Sequence, residues 1–121
     1  MQTAVSVRED AGGKGINVSR VLDAAGIATL AVLPIAEDDP YGAVIRAAGV
    51  PTRAVPVERH VRTNLAVTDA DGETTKINLV GAPLTDADAR ALTDAVVAAT
   101  EGADWLVLAG SLPAGVTDTF Y

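Results

Sequence analysis

Short apolar runs alternate along this chain with segments whose apolar residues recur every three to four positions. The recurrence predicts helices over residues 17–25 and 41–48, and the runs predict strands over residues 29–35, 53–57 and 104–109. The last of these runs is continuously apolar, as in a strand that is buried on both faces. Helices that alternate with such strands indicate an α/β sandwich with a mostly parallel sheet.

Residues 64–80 do not fit that layered pattern. Their apolar residues alternate with polar ones on either side of Asp71-Gly72, which predicts a β-hairpin. Residues 3–7 alternate weakly and predict one more short strand. We expect these segments to form a small separate sheet beside the sandwich. After it, Thr85 and two first-turn acids predict the start of a helix over residues 85–99.

Composition narrows the classes of function. The 121 residues suit one domain, and nine basic against sixteen acidic residues give a net charge of −7, which disfavours nucleic acid and anionic membranes as partners. The absence of cysteine excludes disulfides and thiolate metal sites, and a single histidine excludes a multi-histidine site. No apolar run approaches the length of about 20 residues that spans a bilayer. The first residues carry charges where a signal peptide would have its apolar core, so we expect a cytoplasmic protein.

A glycine-rich loop, Gly12-Gly13-Lys14-Gly15, precedes the first predicted helix. Such a loop either makes a tight turn or lets a ligand approach the backbone and the helix N-terminus. It matches neither the P-loop nor the dinucleotide fingerprint. Asn17 follows, and its spacing favours a helix cap over a donor and acceptor pair for sugar hydroxyls.

Two further places carry polar side chains suited to a ligand. Arg62-Thr63-Asn64 stands at the mouth of the hairpin, where arginine either holds a phosphate or is a solvated charge. Ser111 follows the run 104–109, at the strand end where α/β proteins bind ligands. It is not expected to be a hydrolase nucleophile, because the motif is absent and His60 is remote. We expect solvated side chains at the remaining candidates: His60, Asp38, Asp39, Asp86 and Asp88.

Together these segments resemble a known family. Residues 11–22, AGGKGINVSRVL, closely resemble the first signature of the ribokinase-like carbohydrate kinases, in the form typical of their phosphosugar branch. RTN at 62–64, TKIN at 75–78 and GSLPAGV at 110–116 are similar to further motifs of that branch, in the same order. Within the branch, the sequence is most similar to the 1-phosphofructokinases.

The resemblance implies a parallel αβα sandwich with a small β-sheet lid over the sugar. The lid would comprise residues 3–8 and 59–81, and the core residues 12–57 and 84–121. The implied reaction transfers the γ-phosphoryl group of Mg·ATP to a ketohexose phosphate, first of all fructose 1-phosphate, giving fructose 1,6-bisphosphate. Some relatives dimerise through the lid, which makes a homodimer a further expectation.

Individual roles follow from the same resemblance. Gly13 and Asn17 would hold sugar hydroxyls, whereas Lys14 and Arg62 would hold the phosphate of the substrate. The implied substrate-binding set is Gly12, Gly13, Lys14, Asn17, Arg62, Asn64 and Ser111.

Parts of the family pattern are not found in this sequence. They are an Asp-bearing strand before the lid, the Gly-Ala-Gly-Asp turn that carries the catalytic base, and the ATP-binding segment. We therefore expect a partial, N-terminal segment of a kinase, incomplete in fold, with no catalytic residue and no metal ligand of its own. A non-catalytic binding fragment, or a kinase for tagatose 6-phosphate, fructose 6-phosphate or another sugar, is the alternative. Few aromatic residues imply a thin core, so the isolated chain should be marginally stable or aggregate.

Overall fold

The computed structural model describes residues 3–121. They form three helices and four strands, and no helix among them is long and apolar enough to cross a membrane. The elements in chain order are α1 (Lys14–Ala24), β1 (Ala31–Ile35), α2 (Tyr41–Ala47), β2 (Thr52–Pro56), β3 (Asn64–Thr68), β4 (Thr74–Asn78) and α3 (Asp86–Ala99).

A β-α-β unit forms the centre of the molecule. β1 and β2 pair in parallel, from Ala31 opposite Thr52 to Ile35 opposite Pro56, and α2 makes the crossover between them. Alternation along β1 turns residues 31, 33 and 35 to one face, where Ile16 of α1 and Ile45 of α2 pack. The predicted helices and parallel strands are confirmed here, so the fold class is α/β.

Helix α3 begins with a capping box. The Thr85 hydroxyl accepts a hydrogen bond from the Asp88 amide, and the Asp88 carboxylate accepts one from the Thr85 amide. The predicted helix start is therefore confirmed. The helix packs against β1 and β2 without joining the cluster around Ile16 and Ile45, and we infer that it covers the other face of the sheet.

Strands β3 and β4 form the predicted antiparallel hairpin, in which Leu65 lies opposite Ile77. The turn is longer than the Asp71-Gly72 pair alone. The Asp69 carboxylate accepts hydrogen bonds from the amides of Asp71 and Glu73, at 3.0 and 2.9 Å, and Gly72 takes a φ of +87°. The turn residues are thus those expected, but Asp69 organises them.

Two predicted strands are wrong. Residues 3–7 and residues 104–109 form no strand, and both segments are exposed apart from the partly buried Ala109, with Trp105 88% accessible. A β-strand is completed by hydrogen bonds to a neighbour, and in residues 3–121 the only strand pairs are β1 with β2 and β3 with β4. An apolar run therefore shows that a segment can enter a sheet, but the partner decides whether it does.

Candidate functional site

The glycine-rich loop leads directly into α1. Gly13 takes a φ of +107° at the N-cap position, a conformation that other residues rarely adopt, and the helix begins at Lys14. The Asn17 amide donates to the Gly13 carbonyl at 2.9 Å, so Asn17 lies one turn inside the helix. The capping interpretation of Asn17 is therefore wrong, because Gly13 occupies the cap and Asn17 leaves its side chain exposed.

Tyr41, the first residue of α2, joins this loop to the rest of the unit. Its hydroxyl donates to the Gly12 carbonyl, and its backbone amide donates to Asp39 Oδ1 at 2.9 Å. Partial burial, and secondarily the nearby Asp39 charge, raise the pKa of Tyr41 above its ordinary value. The phenol thus keeps its proton and remains a donor at neutral pH.

Asp39 accepts a second hydrogen bond, from the Val61 amide to Oδ2 at 2.6 Å. Its exposure is only 8%, so the expectation that it is solvated is wrong. Asp38 does fit that expectation, because its side chain is 82% exposed. It lies 3.0 Å from Nε2 of the half-exposed His60. Turn composition could not separate the two aspartates, since the partner of Asp39 is 22 residues away.

Arg62 follows Val61 and is exposed at the base of the hairpin. Its side-chain stem lies against Gly81, where a Cβ atom would come within 3.3 Å of Arg62 Cβ. Close by, the Leu79 amide donates to the Thr63 carbonyl at 3.3 Å. The chain thus enters and leaves the hairpin beside Arg62, which places the backbone of Arg62 at the base of the hairpin.

The hairpin carries Asn64 on its polar face. Asn64 lies opposite Asn78, and Ala66 opposite Lys76, so the side chains of Asn64, Lys76 and Asn78 share one side of the two strands. Leu65, Val67 and Ile77 share the other. Sequence reasoning did not include Lys76 and Asn78 among the site residues. The alternation of residues along each strand, once the register is known, would have found them.

The two cations proposed for the site are free of carboxylates. Among residues 3–121 the ion pairs are Arg8 with Asp10 and His60 with Asp38, and neither Lys14 nor Arg62 takes part in one. Lys14 also stands at the N-terminus of α1, where the first backbone amides lack helical partners. Both features favour an anionic ligand.

Ser111 lies on a separate loop, and its side chain is exposed. Its loop is tied to the start of α3, because the Leu84 amide donates to the Ala114 carbonyl at 2.9 Å, and to Tyr121, whose hydroxyl donates to the Gly110 carbonyl at 3.2 Å. Among the described residues, no hydrogen bond joins this loop to the glycine loop. The structure therefore links the glycine loop with the Arg62 segment, and leaves Ser111 exposed on a loop of its own.

An open depression lies at the carboxyl ends of β1 and β2. It is lined by Ala36, Glu37, Asp38, Val57 and Glu58. Three of the five carry carboxylates, which would repel a phosphate, so the depression is not the anion site. Within the described residues no cluster of three or more His, Asp or Glu side chains could hold a metal ion.

The fold and these segments define a class of protein, the carbohydrate kinases. The chain belongs to the pfkB family of these kinases, whose family model, "pfkB family carbohydrate kinase", matches residues 1–121. It is 39% identical over 118 residues to the 1-phosphofructokinase of Xanthomonas campestris, covering 95% of this chain and 37% of that protein. It is 32% identical over 119 residues to an ATP-dependent 6-phosphofructokinase isozyme 2 of Mycobacterium tuberculosis, covering 94% and 34%.

Solved structures agree with this assignment. A possible 1-phosphofructokinase of Thermotoga maritima matches with a TM-score of 0.76 and 27% identity, over 97% of this chain and 41% of that one. The tetrameric inhibited form of phosphofructokinase-2 of Escherichia coli matches with a TM-score of 0.77 and 33% identity, over 88% and 36%. The α/β sandwich with a lid, in its incomplete form here, is therefore the ribokinase-like fold of these kinases. The chain spans less than half the length of each relative.

Proposed function

We propose that this chain is the sugar-phosphate-binding part of an ATP-dependent kinase for a ketohexose phosphate, with fructose 1-phosphate as the first candidate. The product would be fructose 1,6-bisphosphate. The observation that most directly supports this proposal is that the glycine loop and the Arg62 segment are joined through Tyr41 and Asp39. These two segments carry Lys14 and Arg62, neither of which takes part in an ion pair among residues 3–121. The similarity to curated 1-phosphofructokinases supports the same substrate class.

In this proposal the residues bind and orient the substrate. Lys14 and Arg62 neutralise the phosphate that the sugar already carries, and the guanidinium offers it two parallel hydrogen bonds. Gly12 and Gly13 let the sugar approach the backbone, and the exposed Asn17 amide bonds its hydroxyls. Asn64, two residues after Arg62, would complete the pocket, and Ser111 is a further candidate contact from its own loop. Holding the substrate in one orientation is the main contribution that sugar-binding residues can make to phosphoryl transfer.

No residue of this chain is proposed for the chemical step. The sequence has no Gly-Ala-Gly-Asp turn to supply a general base, and the described residues offer no carboxylate cluster for Mg²⁺. We therefore assign neither the ATP nor the magnesium ion to these residues. In this proposal these residues bind the phosphosugar, and a longer kinase that contains them carries out the phosphoryl transfer.

Fructose 6-phosphate is the second candidate substrate. The observation in its favour is the similarity to the 6-phosphofructokinase isozyme of M. tuberculosis and to phosphofructokinase-2 of E. coli, whose structure is known with fructose 6-phosphate. Tagatose 6-phosphate is a third member of the same chemical class. All three sugars carry one phosphate and several hydroxyls, so Lys14 and Arg62 would bind the phosphate of each.

The apolar face of the hairpin supports a homodimer as part of the proposal. Leu65, Val67, Ile77 and Leu79 are partly exposed there, and a second copy of the lid would cover them. A cytoplasmic location also remains a prediction.

The test is a substrate panel with the full-length kinase that contains this sequence. Fructose 1-phosphate, fructose 6-phosphate and tagatose 6-phosphate are compared by kcat/KM, with unphosphorylated fructose as the negative control. Arg62→Ala should raise the KM for the preferred phosphosugar about 10- to 100-fold, the usual cost of a lost hydrogen bond to a charged group. The KM for ATP should stay within about twofold, because Arg62 contacts only the sugar phosphate in this proposal.

Arg59→Ala is the matched control, since Arg59 is an exposed arginine three positions away. Equal effects of the two substitutions would reduce Arg62 to a solvated charge. Lys14→Ala should act like Arg62→Ala, and an unaltered KM would return the glycine loop to the role of a tight turn. Preference for unphosphorylated fructose would contradict the substrate class.

A further inference from the structure

Asp39 and Tyr41 connect two segments that are far apart in the sequence, the glycine loop and the Arg62 segment. Asp39 follows β1 and Val61 follows β2, so both stand past the carboxyl ends of parallel strands, where α/β proteins bind their ligands. One carboxylate oxygen accepts from the Val61 amide and the other from the Tyr41 amide. The hydroxyl of the same tyrosine then reaches the Gly12 carbonyl.

The carboxylate is matched to its two donors. Each of the two carboxylate oxygens accepts one backbone N–H, whereas an asparagine side chain of the same size has only one acceptor oxygen. Burial makes the pair of bonds strong, and it makes an unpaired donor costly, because water does not replace the lost partner. The exposed Asp38, one position earlier, has no comparable backbone bonds and pairs only with His60.

We propose that Asp39 and Tyr41 are positioning residues that hold the glycine loop and Arg62 at a fixed separation. Neither touches the ligand: Asp39 fixes the residue before Arg62, and Tyr41 fixes the carbonyl of the residue before Gly13. This inference rests on the proposed function for its ligand, a phosphosugar held between Lys14 and Arg62. The link itself is independent of what binds there.

Three variants of the full-length kinase test the proposal. Asp39→Ala removes both backbone acceptors, and Asp39→Asn places an NH₂ group before one of the two amide donors. Each should raise the KM for the phosphosugar about tenfold, with kcat and the KM for ATP within about twofold. Tyr41→Phe keeps the ring and loses only the hydroxyl bond, so its increase should be smaller, about threefold.

Two controls separate positioning from loss of stability. Asp38→Asn makes the same chemical change at the exposed neighbour and should leave the KM unchanged. Ile45→Val removes one buried methyl group from α2, lowering the melting temperature without breaking a hydrogen bond. If Ile45→Val raises the KM as much as Asp39→Ala does, the carboxylate acts only through stability and the proposal is overturned.

Hydrogen exchange gives a readout that does not depend on the substrate. Asp39→Ala should speed exchange at Asn17, whose amide donates to the Gly13 carbonyl of the glycine loop, as well as at Val61, whereas Ile45→Val should not single out those two amides. Fast exchange confined to Val61 would overturn the link to the glycine loop. If the unaltered kinase accepts no phosphosugar, the proposed function fails, and the exchange measurement still decides whether Asp39 and Tyr41 couple the two segments.

Discussion

The two small sheets of this molecule use similar side chains in opposite ways. β1 and β2 carry apolar residues that helices cover, and Ile35 and Val55 are buried. β3 and β4 carry Leu65, Val67 and Ile77, which remain about half exposed. Apolar content alone therefore does not identify a core. The first sheet stabilises the fold, whereas the second presents a polar face and an apolar face that nothing within residues 3–121 covers.

The largest difference should appear when one isoleucine from each sheet region is shortened. Ile45 is 3% exposed in the cluster beneath β1, so Ile45→Ala should lower the free energy of unfolding by about 2–5 kcal/mol. Ile77 is 45% exposed on the hairpin, and Ile77→Ala should cost about 1 kcal/mol or less. Denaturant unfolding of the protein measures both free energies.

Equal losses of unfolding free energy in the two variants would contradict the distinction between the two sheets. A cost at Ile77 that grows with protein concentration would sharpen it instead, because a second copy of the chain would then cover the hairpin.

Two glycines extend the comparison to the loops. Gly115 has a φ of +91°, and a Cβ there would lie 2.3 Å from the Leu84 carbonyl oxygen. Gly72, in the hairpin turn, has a φ of +87° but nothing within 4 Å of the added atom. Gly115→Ala should thus cost about 3 kcal/mol and Gly72→Ala about 1 kcal/mol. Similar melting temperatures for the two variants would show that the loop of residues 110–116, which carries Ser111, is looser than described.

The capping box of α3 should contribute a smaller amount. Thr85→Ala removes the hydroxyl that accepts from the Asp88 amide, and we expect a loss of about 1 kcal/mol. Thr93 is the matched control, because its hydroxyl only bonds back to the Ala89 carbonyl within the helix. Thr93→Ala should be nearly neutral in the same thermal unfolding assay, and a larger effect there than at Thr85 would contradict the assigned cap.

The smallest expected effect is a pH dependence at the same cap. Hydrogen bonds from the Thr85 amide, then from its hydroxyl, hold the pKa of Asp88 below its ordinary value of 3.8. Because the folded pKa is the lower one, the stabilisation is complete above that ordinary value. It is lost as the pH falls below it, through the folded pKa. Comparing Asp88→Asn with the unaltered protein between pH 7 and pH 3 checks this, since the difference in stability should shrink as the solution becomes acidic.

The sequence predicted those elements whose cause is local. Helix periodicity located α1 and α2, the Thr85 cap located α3, and two-residue alternation located the hairpin. The prediction at residues 104–109 was wrong, because a strand depends on a partner that local pattern does not contain. The cap assigned to Asn17 was wrong for a local reason, since Gly13 adopts the positive φ and takes that position itself.

The candidate site also contains residues that the sequence predicted and residues that it did not. The glycine loop and Arg62 were recognised from motifs, and their roles remain predictions. The burial of Asp39 was not foreseeable, because it depends on residue 61 folding back over the turn after β1. Lys76 and Asn78 could have been included, since the register of a hairpin follows from its turn.

The link through Tyr41 and Asp39 also bears on the order in which the chain folds. Its hydrogen bonds span 29 residues between Tyr41 and Gly12 and 22 residues between Val61 and Asp39. Closing loops of this length is entropically modest, and translation delivers the N-terminal residues first. The glycine loop and the Arg62 segment can therefore be joined on the nascent chain before α3 emerges from the ribosome, so that this link precedes the packing of α3 against β1 and β2.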